Sequence, residues 1–576
     1  MYGPVSDMVP STPVFEMYPV GFTTMAEYLE RHGLRARIVN LAIRMLDDQR
    51  FDAEKYIKKL DSLAYGIDLH WLSHAHGSIE IAKLVKRYHP EAPVIFGGFS
   101  SSYFFDELIQ YPAVDFILKG DSTEVPLLML IQYLRDGGKS QPAALSAASK
   151  ELSAIPNLVW KDADGIMHDN PIDYSPDNID DLLMDYSNVL RSVVRYRDLA
   201  SYRPFRTWMK YPISAALTVR GCTHNCITCG GSATAFRNIH NRTRPAYRSP
   251  ELLAQDIRRI GEFSNGPVFV LADPRQAGAD YYHRFFDAIS GYEKHIMFEL
   301  YDPGTKEFFQ EMARAIPKFT VEISMESHDE HVRRAFGRPY TTEALERTID
   351  YALEAGVNRF DLFFMIGLKE QTYESVMGTV EYSRNLLKRY DQMGEHRVIP
   401  FISPMAPFLD PGSIIFEEPE KHGYRLFART LEEHRQKLLE PSWKYVLNYE
   451  TKWLSRDQIA NATYEAGRQF NQMKGEFGVL DMNQVNATDK RINEAVELMS
   501  EIDRIVQTEQ NLEKRKQELM QLKQRIDQAN LGTVCDKSEL DAAFTGSKIN
   551  YLKAASLVIK DWMKDINKKV IDYLHS

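Results

Sequence analysis

The sequence predicts an α/β protein in three parts: a doubly wound, Rossmann-like sheet at the N-terminus, a full or partial parallel β/α barrel in the middle, and a helical C-terminal region. Three observations predict it. Strand-like and helix-like runs alternate over the first 136 residues, six apolar runs separated by helical stretches recur between Pro212 and Pro411, and beyond Glu417 the pattern is helical. A chain of 576 residues is also too long for one core, at roughly 150 residues per domain. The division expected is 1–136 for the first sheet, 137–205 for a connecting segment, 206–416 for the barrel and 417–576 for the helices.

In the first part, Phe22 to His32 reads as a helix ended by Gly33, and Ala36 to Leu41 as a strand. Leu63 to Leu69 reads as a second strand, with a helix from Ser78 to Tyr88 after it. Pro93 to Phe96 and Val114 to Leu118 follow as strands that run into Gly97-Gly98 and Gly120. Sheets of this kind bind ligands at the carboxyl ends of their strands, where both glycine turns fall, so this part should bind something. Residues 137–205 are richer in Ser, Ala, Asp and Pro and lack clear periodicity, which suggests a connection.

The six barrel runs are Ile213 to Val219, Val268 to Ala272, Ile296 to Leu300, Phe319 to Ser324, Phe360 to Met365 and Val398 to Ile402. Ser249 before Pro250 and Glu251 has the N-cap and first-turn chemistry of a helix start. In barrels of parallel strands the chemistry sits on the loops after the strands. In the last part, Ile492, Val496, Met499, Ile502 and Ile505 recur as one buried helix face would, and charged stretches around Glu509 to Arg525 suggest a helical hairpin or small bundle. Lys548 to Leu574 is an amphipathic segment that either packs on its own domain or lies on a membrane and admits a lipid substrate.

A formal charge of −10 gives no broad attraction for nucleic acid, so no nucleic-acid partner is expected. No stretch has the length of a transmembrane segment, and the first residues lack a secretory signal, so a cytoplasmic location is expected. Four cysteines cannot make a disulfide framework in so long a chain. Three of them, Cys222, Cys226 and Cys229, fall within eight residues directly after the first barrel run.

That segment reads Arg220-Gly221-Cys222-Thr223-His224-Asn225-Cys226-Ile227-Thr228-Cys229-Gly230-Gly231. Thiolates are the usual ligands of iron–sulfur clusters, and three on one loop can each take one iron of a cube, leaving the fourth iron free. Glycine on either side allows close approach of backbone to a cluster or ligand. A zinc site remains the alternative if His224 or a distant residue supplies a fourth ligand.

The C-x3-C-x2-C spacing after a first strand resembles the signature of the radical S-adenosylmethionine (SAM) superfamily. The resemblance implies a partial (β/α)6 barrel and one 4Fe–4S cluster on Cys222, Cys226 and Cys229. It further implies SAM on the open iron, cleavage of SAM to a 5′-deoxyadenosyl radical, and a one-electron reductant such as flavodoxin or ferredoxin. The residue before the third cysteine, commonly aromatic in the superfamily, is Thr228. Val321 to Ser327 resembles the fourth-strand segment that contacts SAM, and Phe364 to Leu368 the fifth-strand turn. The SAM contacts implied are Gly230, Gly231, Ser324 and Glu326, with a salt-bridged barrel carboxylate as the other reading of Glu326.

Gly97 to Ser102 and Val114 to Glu124 resemble the cobalamin-binding domain that precedes many radical SAM barrels, which implies cobalamin contacts at Trp71, Gly97, Gly98, Ser100, Gly120, Asp121 and Glu124. Ordinary tight turns would also explain the glycines. Trp71 would cap the lower face of the corrin, or one of His70, His74 and His76 would ligate cobalt; surface or packing roles explain each of the four equally well. Together the two resemblances imply a cobalamin-dependent radical SAM enzyme of the methyltransferase type, acting on an unactivated carbon of a small-molecule or lipid-like substrate. The alternatives are cyclisation or rearrangement without methyl transfer, and a cobalamin or iron–sulfur sensor.

Overall fold

The computed structural model describes residues 20–531, apart from 49, 138–149, 185, 204–207 and 211, with residue 556 alone beyond them. Val94-Ile95-Phe96 and Phe116-Ile117-Leu118 are buried throughout, as strands covered on both faces by helices must be. They form β2 (Val94–Gly97) and β3 (Phe116–Leu118), which run parallel to β1 (Tyr65–Asp68) with Ile67 opposite Phe96 and Phe96 opposite Ile117. The helix expected from Phe22 spans Val20–Arg31, and the one after β1 spans Ala75–Tyr88.

Two expectations for this region fail. Ala36 to Leu41 forms no strand, because the Asn40 side chain accepts from the Ile43 amide at 3.1 Å and caps the helix Leu41–Asp47. The segment expected to be a connection carries β4 (Leu158–Lys161) and β5 (Met167–Asp169), which extend the first sheet in antiparallel fashion in the order β1-β2-β3-β4-β5. The Asp162 carboxylate receives the amides of Asp164 and Ile166 in the turn between them.

All six barrel runs become strands. After β6 (Ser214–Ala216) comes a short antiparallel pair, β7 (Val219–Arg220) and β8 (Ala246–Tyr247). Next are β9 (Val268–Val270), β10 (Ile296–Leu300), β11 (Phe319–Glu326), β12 (Arg359–Ile366) and β13 (Val398–Pro404). The parallel sheet runs β6-β9-β10-β11-β12-β13, so β6 and β13 are its edges, as in a partial (β/α)6 barrel. Helix Arg456–Glu476 packs along β13, with the Lys474 ammonium 3.9 Å from the centre of the Phe401 ring. A last antiparallel pair, β14 (Tyr424–Leu426) and β15 (Tyr449–Thr451), lies beyond the barrel strands.

Alternation along each strand divides the work. On β10, Ile296, Phe298 and Leu300 are buried outward, where Phe298 meets Phe285 and Phe286 of helix Ala279–Ile289, while Met297 and Glu299 occupy the other face. Pro250 opens the helix Pro250–Phe263 as expected, but Ser249 does not cap it. Its hydroxyl and amide go instead to the Asp180 carboxylate.

The C-terminal part forms a hairpin of helices Met482–Thr508 and Leu512–Leu531, with Arg525 2.9 Å from Glu501 across it. Ile492, Met499, Ile502 and Ile505 are buried, whereas Val496 is 36% exposed at the margin of that face. The amphipathic segment Lys548 to Leu574 and Cys535 lie outside the described residues. Among the described residues no helix is long and apolar enough to cross a membrane.

Phe298 has no exposed surface. Phe298→Ala is expected to destabilise the barrel by about 3–5 kcal/mol, read as a lowered denaturant midpoint.

Candidate cofactor site

The cysteines lie on the loop that leaves β7, and the loop has almost no regular structure of its own. Gly221 starts it at φ +105°, and a Cβ there would stand 2.9 Å from the Pro245 backbone and 3.0 Å from Arg242 Cδ, so only glycine fits. The Thr223 amide and hydroxyl both donate to Gln276 Oε1, at 3.0 and 2.9 Å, just past β9. His224 Nε2 sits 2.8 Å from Asp302 Oδ2, just past β10, and Asp302 together with Cys222 raises the His224 pKa to about 9. The Gly230 amide donates to Asp410 Oδ2 at 2.9 Å, past β13. Side chains from three strand ends therefore hold one loop.

Cys226 is buried, while Cys222 and Cys229 are half-buried; all three are free thiols. The amides of His224 and Gly231 donate to the sulfurs of Cys222 and Cys229, at 3.4 and 3.3 Å. Burial pushes the Cys226 thiol up to about 11, against the pull of the Arg338 charge. Burial, followed by the charge of Asp410, drives Cys229 higher still. At Cys226 and Cys229 burial outweighs what the protein supplies to the thiolate, and iron would supply the rest. Among the described residues no three His, Cys, Asp or Glu side chains are grouped as ligands of one metal ion.

Ser324 and Glu326 end β11 beside this loop, and they are separated by a register shift. Glu326 takes a left-handed backbone at φ +68°, a costly conformation for a residue with a side chain. It is 3% exposed, its Oε1 is 3.8 Å from Arg338 Nε, and its Oε2 has no hydrogen-bond partner. Burial raises it to about 8 despite Arg338. Arg338 Nε is likewise buried without a partner. Two orphaned polar groups of opposite charge, too far apart to bond each other, fit a ligand with its own donors and acceptors.

Deeper in the barrel, Glu299, Glu322 and Asp361 occupy one row across β10, β11 and β12, each opposite the next in register. Arg359 bonds Asp361 at 2.5 Å, and burial raises both glutamates well above the ordinary carboxylate range.

At the first sheet the expected cobalamin contacts separate into two groups. Trp71 is 54% exposed at the carboxyl end of β1, an apolar plate a planar ligand could cover, and a Cβ on Gly97 would approach nothing closer than 3.9 Å. Gly98 is different: a Cβ there would strike the His70 backbone at 2.6 Å, so packing within the sheet already requires the glycine. A Cβ on Gly120, whose φ is +98°, would similarly meet the Asn157 side chain at 3.1 Å. The Ser100 hydroxyl donates to His70 O at 2.9 Å. Asp121 pairs with Arg242, and Glu124 with Arg220 at 2.6 Å. His74 faces Asp68 at 2.9 Å, and the His70 ring lies tilted against Phe99, with ring centres 4.5 Å apart. Gly230, expected near SAM, has Asp410 where a Cβ would go, at 2.7 Å.

Residues 217–383 match the radical SAM superfamily and residues 8–128 the B12 binding domain. The chain carries a B12-binding domain followed by a radical SAM domain. Its cofactors are those of the two domains: a 4Fe–4S cluster, SAM and cobalamin. The fold of this radical SAM protein is similar to that of the radical SAM methyltransferase TsrM from Kitasatospora setae with cobalamin and cluster bound, at 15% identity and a TM-score of 0.52 over 72% of this chain and 75% of that one. TsrM with tryptophan substrate and a SAM analog aligns over 74% and 77%, at 15% identity and a TM-score of 0.51. OxsB, a cobalamin-dependent SAM radical enzyme with aqua-cobalamin bound, aligns over 97% of this chain and 79% of its own at 12% identity and a TM-score of 0.51. At these identities the likeness is one of fold. No curated protein matches the chain by sequence.

Gln276, Asp302, Asp410 and Arg338 escaped sequence reading. Three aspartates did leave a mark, since Asp273, Asp302 and Asp410 each precede a proline in the segment that follows a barrel strand.

The raised Glu326 pKa has a sign that can be measured. Its protonated form is favoured in the fold, so its stabilising contribution is complete below about 4.5 and is lost as pH rises through about 8. The melting temperature of cofactor-free protein should fall across that window, and Glu326→Gln should flatten the fall.

Proposed function

We propose that this radical SAM enzyme is a methyltransferase that adds a methyl group to an unactivated carbon of a small-molecule or lipid-like substrate. In this reading Cys222, Cys226 and Cys229 are the cluster ligands, and what supports it is that all three stand on the one loop leaving β7, held by side chains that follow β9, β10 and β13. Cys222, Cys226 and Cys229 would hold the cluster, and Trp71 and Gly97 would meet the cobalamin; together these groups would supply an electron for splitting one SAM into methionine and a 5′-deoxyadenosyl radical, and a methyl carrier recharged by a second SAM.

The residues do the positioning. Cys222 and Cys229 keep their backbone donors, which stabilise negative sulfur. Glu326, Ser324, Gly230 and Gly231 line the SAM side, where Glu326 and Arg338 carry the unsatisfied groups that a zwitterionic amino acid and ribose can use. Trp71 and Gly97 offer the plate and the open backbone for cobalamin. The row Glu299, Glu322 and Asp361 lies below, lining the barrel interior that the radical would enter. The division that goes with this reading is a cobalamin-binding part to residue 136, a barrel over 206–416, a helical part from 417, and between them 137–205, whose β4 and β5 complete the first sheet.

The test is anaerobic reconstitution with iron, sulfide and cobalamin, followed by reduction in the presence of SAM. Wild type should release 5′-deoxyadenosine, and Cys226→Ala should lose the cluster absorbance and at least about a thousandfold of that rate, more than removal of an outer partner costs. With substrate supplied, S-adenosylhomocysteine should accumulate. Its absence beside 5′-deoxyadenosine would instead indicate rearrangement or cyclisation.

A further inference from the structure

Asp121 and Glu124 sit where a cobalamin-binding domain is expected to touch its cofactor, at the carboxyl end of β3 and the start of helix Glu124–Arg135. Their carboxylates are nevertheless fully committed to the neighbouring part of the chain. Arg220 donates to both Glu124 oxygens, at 2.6 and 2.9 Å, and Thr24 donates to one of them at 2.9 Å. Glu124 is 1% exposed. Arg242 pairs with Asp121 and donates to the Ser122 hydroxyl at 3.2 Å, and that same hydroxyl is 3.1 Å from Arg220.

Both arginines flank the cysteine loop. Arg220 is two residues before Cys222, and Arg242 Cδ is one wall of the space that forces glycine at 221. We infer that Glu124 and Asp121 are positioning residues for the cysteine loop, through which the cobalamin-binding sheet sets where the cluster stands, and that neither contacts cobalamin. The inference rests on the reading of Cys222, Cys226 and Cys229 as cluster ligands.

The chemistry favours this assignment over a cofactor contact. Glu124 already accepts from Arg220 and Thr24, and Asp121 from two nitrogens of Arg242, so each has little left to offer a ligand, and removing either would strand the guanidinium it pairs. Bidentate pairing also fixes direction, which an apolar contact would not. The loop thus enters from β7 along a line set by a residue 96 positions away in sequence.

The test uses full-length protein, reconstituted anaerobically with iron, sulfide and hydroxocobalamin, as wild type, Glu124→Gln, Asp121→Asn and Thr24→Val. Four quantities are read: iron per chain, the electron paramagnetic resonance spectrum of the reduced cluster with and without SAM, cobalamin affinity by absorbance titration, and the far-UV circular dichroism melt. Glu124→Gln and Asp121→Asn should keep cobalamin affinity within about twofold, as independent sites do, while losing iron and the SAM-induced spectral shift about tenfold or more. Thr24→Val should change the spectrum in the same sense but less.

A cobalamin affinity lowered tenfold with an unchanged spectrum would make the carboxylates cofactor contacts and overturn the inference. Unchanged spectra and iron in both carboxylate variants would overturn it too. If Glu124→Gln does not fold, an unaltered spectrum in Thr24→Val and Asp121→Asn reduces the pair to a structural lock and overturns the inference as well. A wild type that takes up no iron while Cys226→Ala behaves identically would sink the underlying reading instead.

Discussion

Glu124 is buried against the partly buried Arg220 between the first sheet and the barrel, and its carboxylate needs that guanidinium to stay ionised there. Burial pushes the carboxyl up, but the charge and hydrogen bonds of Arg220 outweigh it and hold Glu124 below its ordinary range. Apolar contact around the pair is extensive, since one core cluster runs from Leu41 through Val159 and Ala216 to Met499. Apolar burial has no direction, however, and would tolerate a slipped or rotated docking. The forked pairing of a guanidinium with a carboxylate does not, so a few polar atoms decide how two large surfaces meet. Phe99 against His240 and Phe236, with ring centres 4.5 and 5.5 Å apart, fills the space beside that anchor.

Within the barrel the strand pleat keeps two incompatible environments apart. Outward residues such as Phe298, Val321 and Leu362 make the dry layer under the helices. Inward positions carry Glu299, Glu322, Asp361 and Arg359, where burial makes charge expensive and pushes all three carboxyls above their ordinary range. The bulge between Ser324 and Glu326 re-aims the last side chain of β11 toward the cysteine loop. Function thus gathers where the regular pairing stops.

Much of this is legible in the residues alone, and for identifiable reasons. The six barrel strands declare themselves because each needs an apolar outward face, and the cysteine spacing does so because few chemistries want three thiols on one loop. Short elements without such a pattern are lost: β4 and β5 span only Leu158–Lys161 and Met167–Asp169, and Asn40 turns an apparent strand into a helix start. Val496 keeps the right spacing but lies at the margin of its helix face. At Gly98 a single sequence cannot separate a glycine demanded by a ligand from one demanded by packing, and there the neighbour is the His70 backbone. Partners such as Glu124 and Arg220, or His224 and Asp302, join residues far apart in the chain, and a single sequence carries no record of that proximity.

The glycine at 221 gives the architecture a practical edge. Because Pro245 and Arg242 occupy the space beside its Cα, the twelve residues from Gly221 to Ser232 are shaped by walls that belong to other segments. A graft of that stretch onto a foreign barrel would carry all three sulfurs and leave behind the proline, the arginine and the carboxylates that bend it. The transferable unit is the loop together with its surroundings, which reach from Thr24 to Asp410.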